Sequence, residues 1–167
     1  MTEPQIELRE PRPYLGIHAP SIADIRQFAD SSFPELFGWL AEHGVTPAAP
    51  PFIRYYEVDR AGEPLDVEVG VPVDGAPEGD ARVRADALPA GSYLTFVHVG
   101  PYRSESARDL ADARADLLAW AEANGIEYGQ ESEHGQSFPC AFEHYWIGPA
   151  DDPDFTKWET ELAYLIL

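Results

Sequence analysis

The sequence predicts an α+β fold made of two strand–helix–strand–strand modules in tandem. Three observations point there. The same order of elements occurs twice along the chain. Val67, Val69, Val71 and Val73 alternate with Glu68, Gly70 and Pro72, the period-2 pattern of a strand with one buried face. The stretch Val73-Asp-Gly-Ala-Pro-Glu-Gly-Asp80 is rich in turn formers and acid, and reads as an exposed joint between the halves. The expectation is one domain over residues 1–167, with repeat one at about 6–73 and repeat two at about 83–167.

The elements follow in order. Tyr14-Leu-Gly-Ile-His18 opens the first repeat as a strand. A helical stretch follows and ends at Trp39-Leu-Ala-Glu-His-Gly-Val45. Proline lacks an amide proton and crowds the preceding turn, so Phe33-Pro34 is expected to break this helix. Ser31 or Ser32 would then cap a second piece from about Pro34 to His43. Pro51-Phe-Ile-Arg-Tyr-Tyr-Glu57 and Leu65-Asp-Val-Glu-Val-Gly-Val-Pro-Val73 complete the module as strands. In the second repeat Tyr93-Leu-Thr-Phe-Val-His-Val99 is the first strand. Its helix, with Ser104 as cap ahead of Glu105, ends at Trp120-Ala-Glu-Ala-Asn-Gly-Ile126. Cys140-Ala-Phe-Glu-His-Tyr-Trp146 and Thr160-Glu-Leu-Ala-Tyr-Leu-Ile-Leu167 are the closing strands. Gly44 and Gly125 each follow a helical run and suit the left-handed position that ends a helix.

Composition excludes several function classes. Eleven Lys and Arg stand against 30 Asp and Glu, a formal net charge of −19. Such a chain repels phosphate backbones, so direct nucleic-acid binding is not expected. Lys157 is the one lysine, so no phosphate loop of the Gly-rich, Lys-terminated kind exists. Cys140 is the one cysteine, which excludes an internal disulfide and a multi-cysteine zinc site. No metal or cofactor motif is present. Met1 to Glu10 is polar and acidic and no apolar run approaches ~20 residues, so a cytoplasmic protein without a membrane segment is expected. Eight Tyr, eight Phe and four Trp are many for a plain core of this size and hint at an aromatic-lined cavity.

Candidate site residues emerge from helix and strand geometry. In the second helix Ala107, Leu110, Ala111, Leu118 and Ala121 form an apolar stripe, and Trp120 lies about 120° away from it. In the first, Trp39 lies about 110° from the stripe of Phe33, Leu36, Phe37 and Leu40, in the same sense. Two indoles offered sideways can face one groove and hold a flat apolar or cationic ligand, or each can cover a flank of its own module. On the strand ending at Trp146, Glu143, Tyr145 and Ile147 share one face, and Phe142, His144 and Trp146 the other. A buried Glu among aromatics needs a salt bridge, a raised pKa or a ligand cation. Three readings of Glu143 stay open: a structural pair with Arg54, recognition of a cation with Tyr145 stacked beside it, and general acid–base use. Glu68 and Glu161 read as the solvent face of a sheet. Tyr56 matches Tyr145 between the repeats, and Tyr164 faces the same way as Leu162 and Ile166. His98 reads as a satisfied structural residue.

These segments, with Leu88-Pro-Ala-Gly-Ser-Tyr93 and His98-Val-Gly-Pro-Tyr102, resemble the GyrI-like small-molecule-binding family, which includes effector-binding domains of multidrug-responsive regulators. The resemblance runs from about Tyr14 to Leu167. It implies two modules related by a pseudo-twofold axis around a central ligand cleft in an antiparallel sheet. It implies binding of planar lipophilic aromatic compounds, often cationic, for xenobiotic sequestration or detoxification. Glu143 would meet the positive charge, and Trp39, Tyr56, Tyr102, Trp120, Tyr145 and Tyr164 would line the cleft. It also implies an alternative, hydrolysis of cyclopropane-bearing genotoxic compounds, with Glu143 as base and Tyr145 steadying an oxyanion. A third reading, an acidic protein-interaction module such as a gyrase inhibitor, rests on the charge alone. These 167 residues leave no room for an attached DNA-binding domain, so direct transcriptional activity is not expected.

Overall fold

A computed structural model describes residues 3–167. Nine strands form one antiparallel sheet: β1 (Gln5–Arg9), β2 (Arg12–Ala19), β3 (Phe52–Asp59), β4 (Pro64–Pro72), β5 (Arg84–Leu88), β6 (Gly91–Val99), β7 (Gln130–Glu131), β8 (Gly135–Ile147) and β9 (Glu159–Leu165). Two helices, α1 (Ile25–Glu42) and α2 (Leu110–Ala123), follow β2 and β6. The order across the sheet is β1-β6-β9-β8-β3-β4-β2-β5, with β7 added on β8. Along the chain the orders β2-α1-β3-β4 and β6-α2-β7-β8-β9 follow one another, and β3 and β8 are neighbours in the sheet. β1 and β5 precede one half each and pair with the other half's first strand. Neither is expected from the sequence: β1 is a short five-residue stretch, and β5 offers only alanines as its alternating apolar residues.

Register sets two faces. One row runs Phe96, Leu162, Glu143, Ile53, Val69, Ile17, and both helices pack on this face. α1 covers Leu15, Ile17, Val67, Val69 and Val71 with Leu36 and Leu40. α2 covers Leu94, Ala141 and Leu162 with Leu110, Ala113, Leu117 and Ala121. That stripe includes Ala113 and Leu117 in place of Ala111, which is exposed. The other face carries the row Thr95, Ala163, Phe142, Arg54, Glu68, His18. Its core is Tyr14, Phe52, Leu88, Tyr93, Cys140 and Phe142. A Cβ on Gly70 would sit 2.4 Å from Phe52 Cζ, so only glycine lets that ring lie across β4.

The helix boundaries correct two expectations. α1 runs unbroken through Pro34, capped by Asp24, which accepts from the amides of Arg26 and Gln27. Pro34 removes one intrahelical bond, but it sits on the exposed side, where water can satisfy the freed carbonyl. α2 starts at Leu110, not near Ser104. Asp109 and Asp112 form a reciprocal capping box there, while Ser104 closes a preceding turn by accepting from Ala107 N. Both helices end as expected, with Gly44 and Gly125 at φ 66° and 67°. The amides of Val45 and Ile126 reach back to Leu40 O and Ala121 O, both at 2.9 Å, which is Schellman geometry.

Candidate functional site

Glu143 is the one acid in an otherwise apolar row under both helices, and only 4% exposed. An ionised carboxylate there needs donors and a counter-charge. Oε2 receives two phenols: Tyr145 donates at 2.7 Å and Tyr55 at 3.1 Å. Oε1 meets the Arg114 guanidinium from α2 as an ion pair. Arg114 is itself one-third exposed (33%), and its charge is felt by Tyr55, Tyr145 and Tyr164 together.

Further aromatics close around this centre. Tyr145 takes Phe33 of α1 edge-on at 6.4 Å and Tyr102 of the β6–α2 loop edge-on at 5.6 Å. Tyr102 in turn lies 4.8 Å from Trp158. Tyr164 packs edge-on against Tyr128 and Phe138. Thr160, opposite Tyr145 in register, buries a hydroxyl with no partner. Burial holds the Tyr55, Tyr102 and Tyr164 phenols up to about 12 and Tyr145 well above its ordinary value, so all four keep their protons at neutral pH. Two surface hollows, about 700 and 480 Å³, lie elsewhere, beside the link after β4 and beyond the end of α2. The Glu143 cluster lines neither of them: side chains from both halves meet over the carboxylate.

The structure separates the residues singled out in the sequence. Glu143, Tyr145 and Tyr102 come together, with Tyr164 beside them. Tyr56 does not: it points through the other face to Glu68, donating at 2.9 Å. The cause is plain alternation along β3: Ile53 and Tyr55 share the helix face with Glu143, and Arg54 and Tyr56 point the other way. Tyr55 and Tyr56 thereby serve two carboxylates on opposite faces. The Arg54–Glu143 pair is absent for the same reason. Arg54 lies on the far face and donates to Tyr14 Oη (3.0 Å) and Pro139 O (3.1 Å). Trp39 donates its indole N–H to Asp80 (2.8 Å) and stacks on His43 at 3.8 Å, anchoring the link after β4. Trp120 packs against the α2 core. Neither indole is among the groups that contact Glu143.

Other expectations resolve plainly. Glu68 is not solvent-facing; it is fully buried, accepting from Tyr14 (2.5 Å), Tyr56 and Arg84 (2.7 Å). Glu161 pairs with Arg9 at 2.8 Å. His98 is buried and hydrogen-bonded to Pro101 O (3.0 Å), a structural residue as expected. Tyr55, Arg114, Phe33 and Trp158 were missed. Tyr55 was within reach, since Tyr-Tyr on one strand must send one ring to each face. Arg114 carries no local signal, because its role depends on how α2 crosses the sheet.

The chain is thus an antiparallel α+β domain with a buried carboxylate held among phenols under two helices. Sequence comparison gives the family directly. Residues 2–166 match the GyrI-like small molecule binding domain, and the chain belongs to that family. No curated protein matches the sequence. Among solved structures, the chain is similar to EcmrR in its DNA complex, with a TM-score of 0.79 at 20% identity over 98% of this chain. That match spans 57% of the EcmrR chain, so this chain corresponds to little more than half of that regulator. The isolated C-terminal domain of EcmrR matches over 99% of this chain and 97% of its own, with a TM-score of 0.72 and 20% identity. A hydrolase from Listeria innocua matches with a TM-score of 0.60 at 14% identity, over 99% of this chain and 92% of its own. SAV2435 bound to tetraphenylphosphonium matches with a TM-score of 0.55 at 15% identity, over 99% and 94%.

Proposed function

We propose that this chain, as a single domain of two modules related by a pseudo-twofold axis at the β3–β8 joint, binds planar lipophilic aromatic compounds over Glu143 for sequestration or detoxification. One observation carries the reading: a buried carboxylate, served by two phenols on one oxygen and by the Arg114 guanidinium on the other, sits between the helices of both halves. Aromatic faces supply apolar contact area, and the phenol and Thr160 hydroxyls supply a few directional polar contacts. The similarity to SAV2435 bound to tetraphenylphosphonium supports a lipophilic ligand. The test is a titration with Nile red, a planar uncharged dye, followed by its own fluorescence. Micromolar binding is expected, weakened at least tenfold in Tyr145→Ala. Equal affinity for the wild type and for Tyr145→Ala and Tyr55→Ala would place the ligand elsewhere.

A second reading is favoured by the 2.7 Å contact between the Tyr145 hydroxyl and Glu143. In a hydrolase of strained cyclopropane-bearing compounds, Glu143 would take a proton from water. Tyr145, still protonated, would donate to the oxyanion that develops. This reading requires turnover, with kcat falling about 100-fold or more in Glu143→Gln while KM changes little. Unchanged kcat would remove it.

A further inference from the structure

The groups around Glu143 are a buried carboxylate that can hold a cation and the aromatic side chains packed about it. In this chain that position is filled from within. The guanidinium of Arg114 reaches down from the first turn and a half of α2, pairs with Glu143 Oε1, and lies where its charge acts on Tyr55, Tyr145 and Tyr164. The buried arginine of the sheet itself, Arg54, belongs to the opposite face.

We propose that Arg114 is a built-in occupant of the Glu143 site and sets its ligand charge: seated, it makes the site one for uncharged planar ligands, and a cation binds only by displacing it. The inference rests on the ligand-binding reading above. Three observations carry it. The pair cancels the carboxylate's charge, so an arriving cation gains little net attraction. Arg114 comes from α2 whereas Glu143 is held in the sheet, so the two charges sit on separate elements. Arg114 also has a way out, because one-third of its side chain already faces water. Glu143 has no such exit at 5% side-chain exposure, so the carboxylate stays and the cation over it can be exchanged.

The test titrates the wild type, Arg114→Gln and Arg114→Gln/Glu143→Gln with two dyes, ethidium (a planar cation) and Nile red. Ethidium should bind Arg114→Gln at least about tenfold more tightly than wild type, as expected for freeing a buried charge. Nile red affinity should change by less than about threefold, and the double variant should lose the ethidium gain. Arg114→Met keeps the unbranched stem and gives the same readings if Arg114→Gln does not fold. If Nile red binds but neither variant gains affinity for ethidium, Arg114 does not set ligand charge, and the ligand-binding reading stands. If neither dye binds any of the proteins, both ideas fall.

Discussion

Glu68 and Glu143 are both buried in one sheet, on opposite faces, and each is met by tyrosines and an arginine. Their surroundings differ in what they join. Glu68 takes Tyr14 and Tyr56 on Oε1 and Arg84 on Oε2, all in good geometry. Even the backbone makes room: a Cβ on Gly16 would lie 2.9 Å from Glu68 Oε2. Arg84 also reaches Tyr56 (2.7 Å), and Arg54 reaches Tyr14, so the network is cross-braced. Glu143 has the same chemistry, two phenols on one oxygen and an arginine on the other, but its arginine comes from α2 and not from a strand. The first network ties β2, β3, β4 and β5 together; the second joins the sheet to a helix.

The largest effect that can break this comparison is on stability. Glu68→Gln should cost ~3 kcal/mol, because it puts amide hydrogens against donors inside a closed, buried network. Glu143→Gln should cost only ~1 kcal/mol, because the amide oxygen can still accept from Tyr55 and Tyr145 and the released Arg114 can hydrate. Urea midpoints at constant m-value measure both. Equal losses would make Glu143 a structural acid like Glu68. Ligand binding should follow the reverse order, with Glu68→Gln leaving Nile red affinity unchanged.

Alkaline titration sharpens the same contrast with a smaller effect on each group. Burial raises all eight tyrosines above the ordinary phenol value, with Tyr55, Tyr56, Tyr102 and Tyr164 at about 12. The unfolded chain loses these protons near pH 10, before the folded chain does. Between about pH 10 and 12 the folded state therefore binds more protons, and stability falls as pH rises. Below pH 10 this contribution is fully present. Tyrosinate absorbance should stay flat past pH 10 and then rise together with loss of far-UV dichroism. A plain titration near pH 10 with the fold intact would show that the phenols are not held as donors.

The fold was largely legible in the sequence, and the site only in part. Helices and central strands follow from alternating valines, glycines at φ near 67° and aromatic-rich runs, all local signals. Edge strands β1 and β5 were not legible, because their pairing with the opposite half is decided by topology. Glu143 and Tyr145 stood out because alternation on one strand fixes their shared face. Tyr56 was misassigned because the two repeats were matched one residue out of step: Ile53, not Arg54, lies beside Glu143, and Tyr55, not Tyr56, shares the face of Tyr145. The tryptophan pair failed for another reason. Helical angle gives the direction of a side chain relative to its own core stripe, not what lies there, and at Trp39 the neighbour is Asp80.

The smallest effect, and a direct check on that misreading, is spectroscopic. Trp158 lies 4.8 Å from Tyr102, whose ring meets Tyr145 over Glu143, so its indole is two aromatic contacts from the proposed ligand. Trp39 is tied to Asp80 and His43. A ligand over Glu143 should therefore change the emission of Trp158 and leave that of Trp39 largely untouched. In Trp158→Phe the fluorescence response to ligand should shrink by about half or more, while dye affinity stays within about twofold, since this ring touches the site only through Tyr102. Trp39→Phe should retain the full response. The reverse result, with Trp39 carrying the signal, would move the ligand to the link after β4. Glu143 would then be a second structural carboxylate, and the difference between the two faces would carry no function.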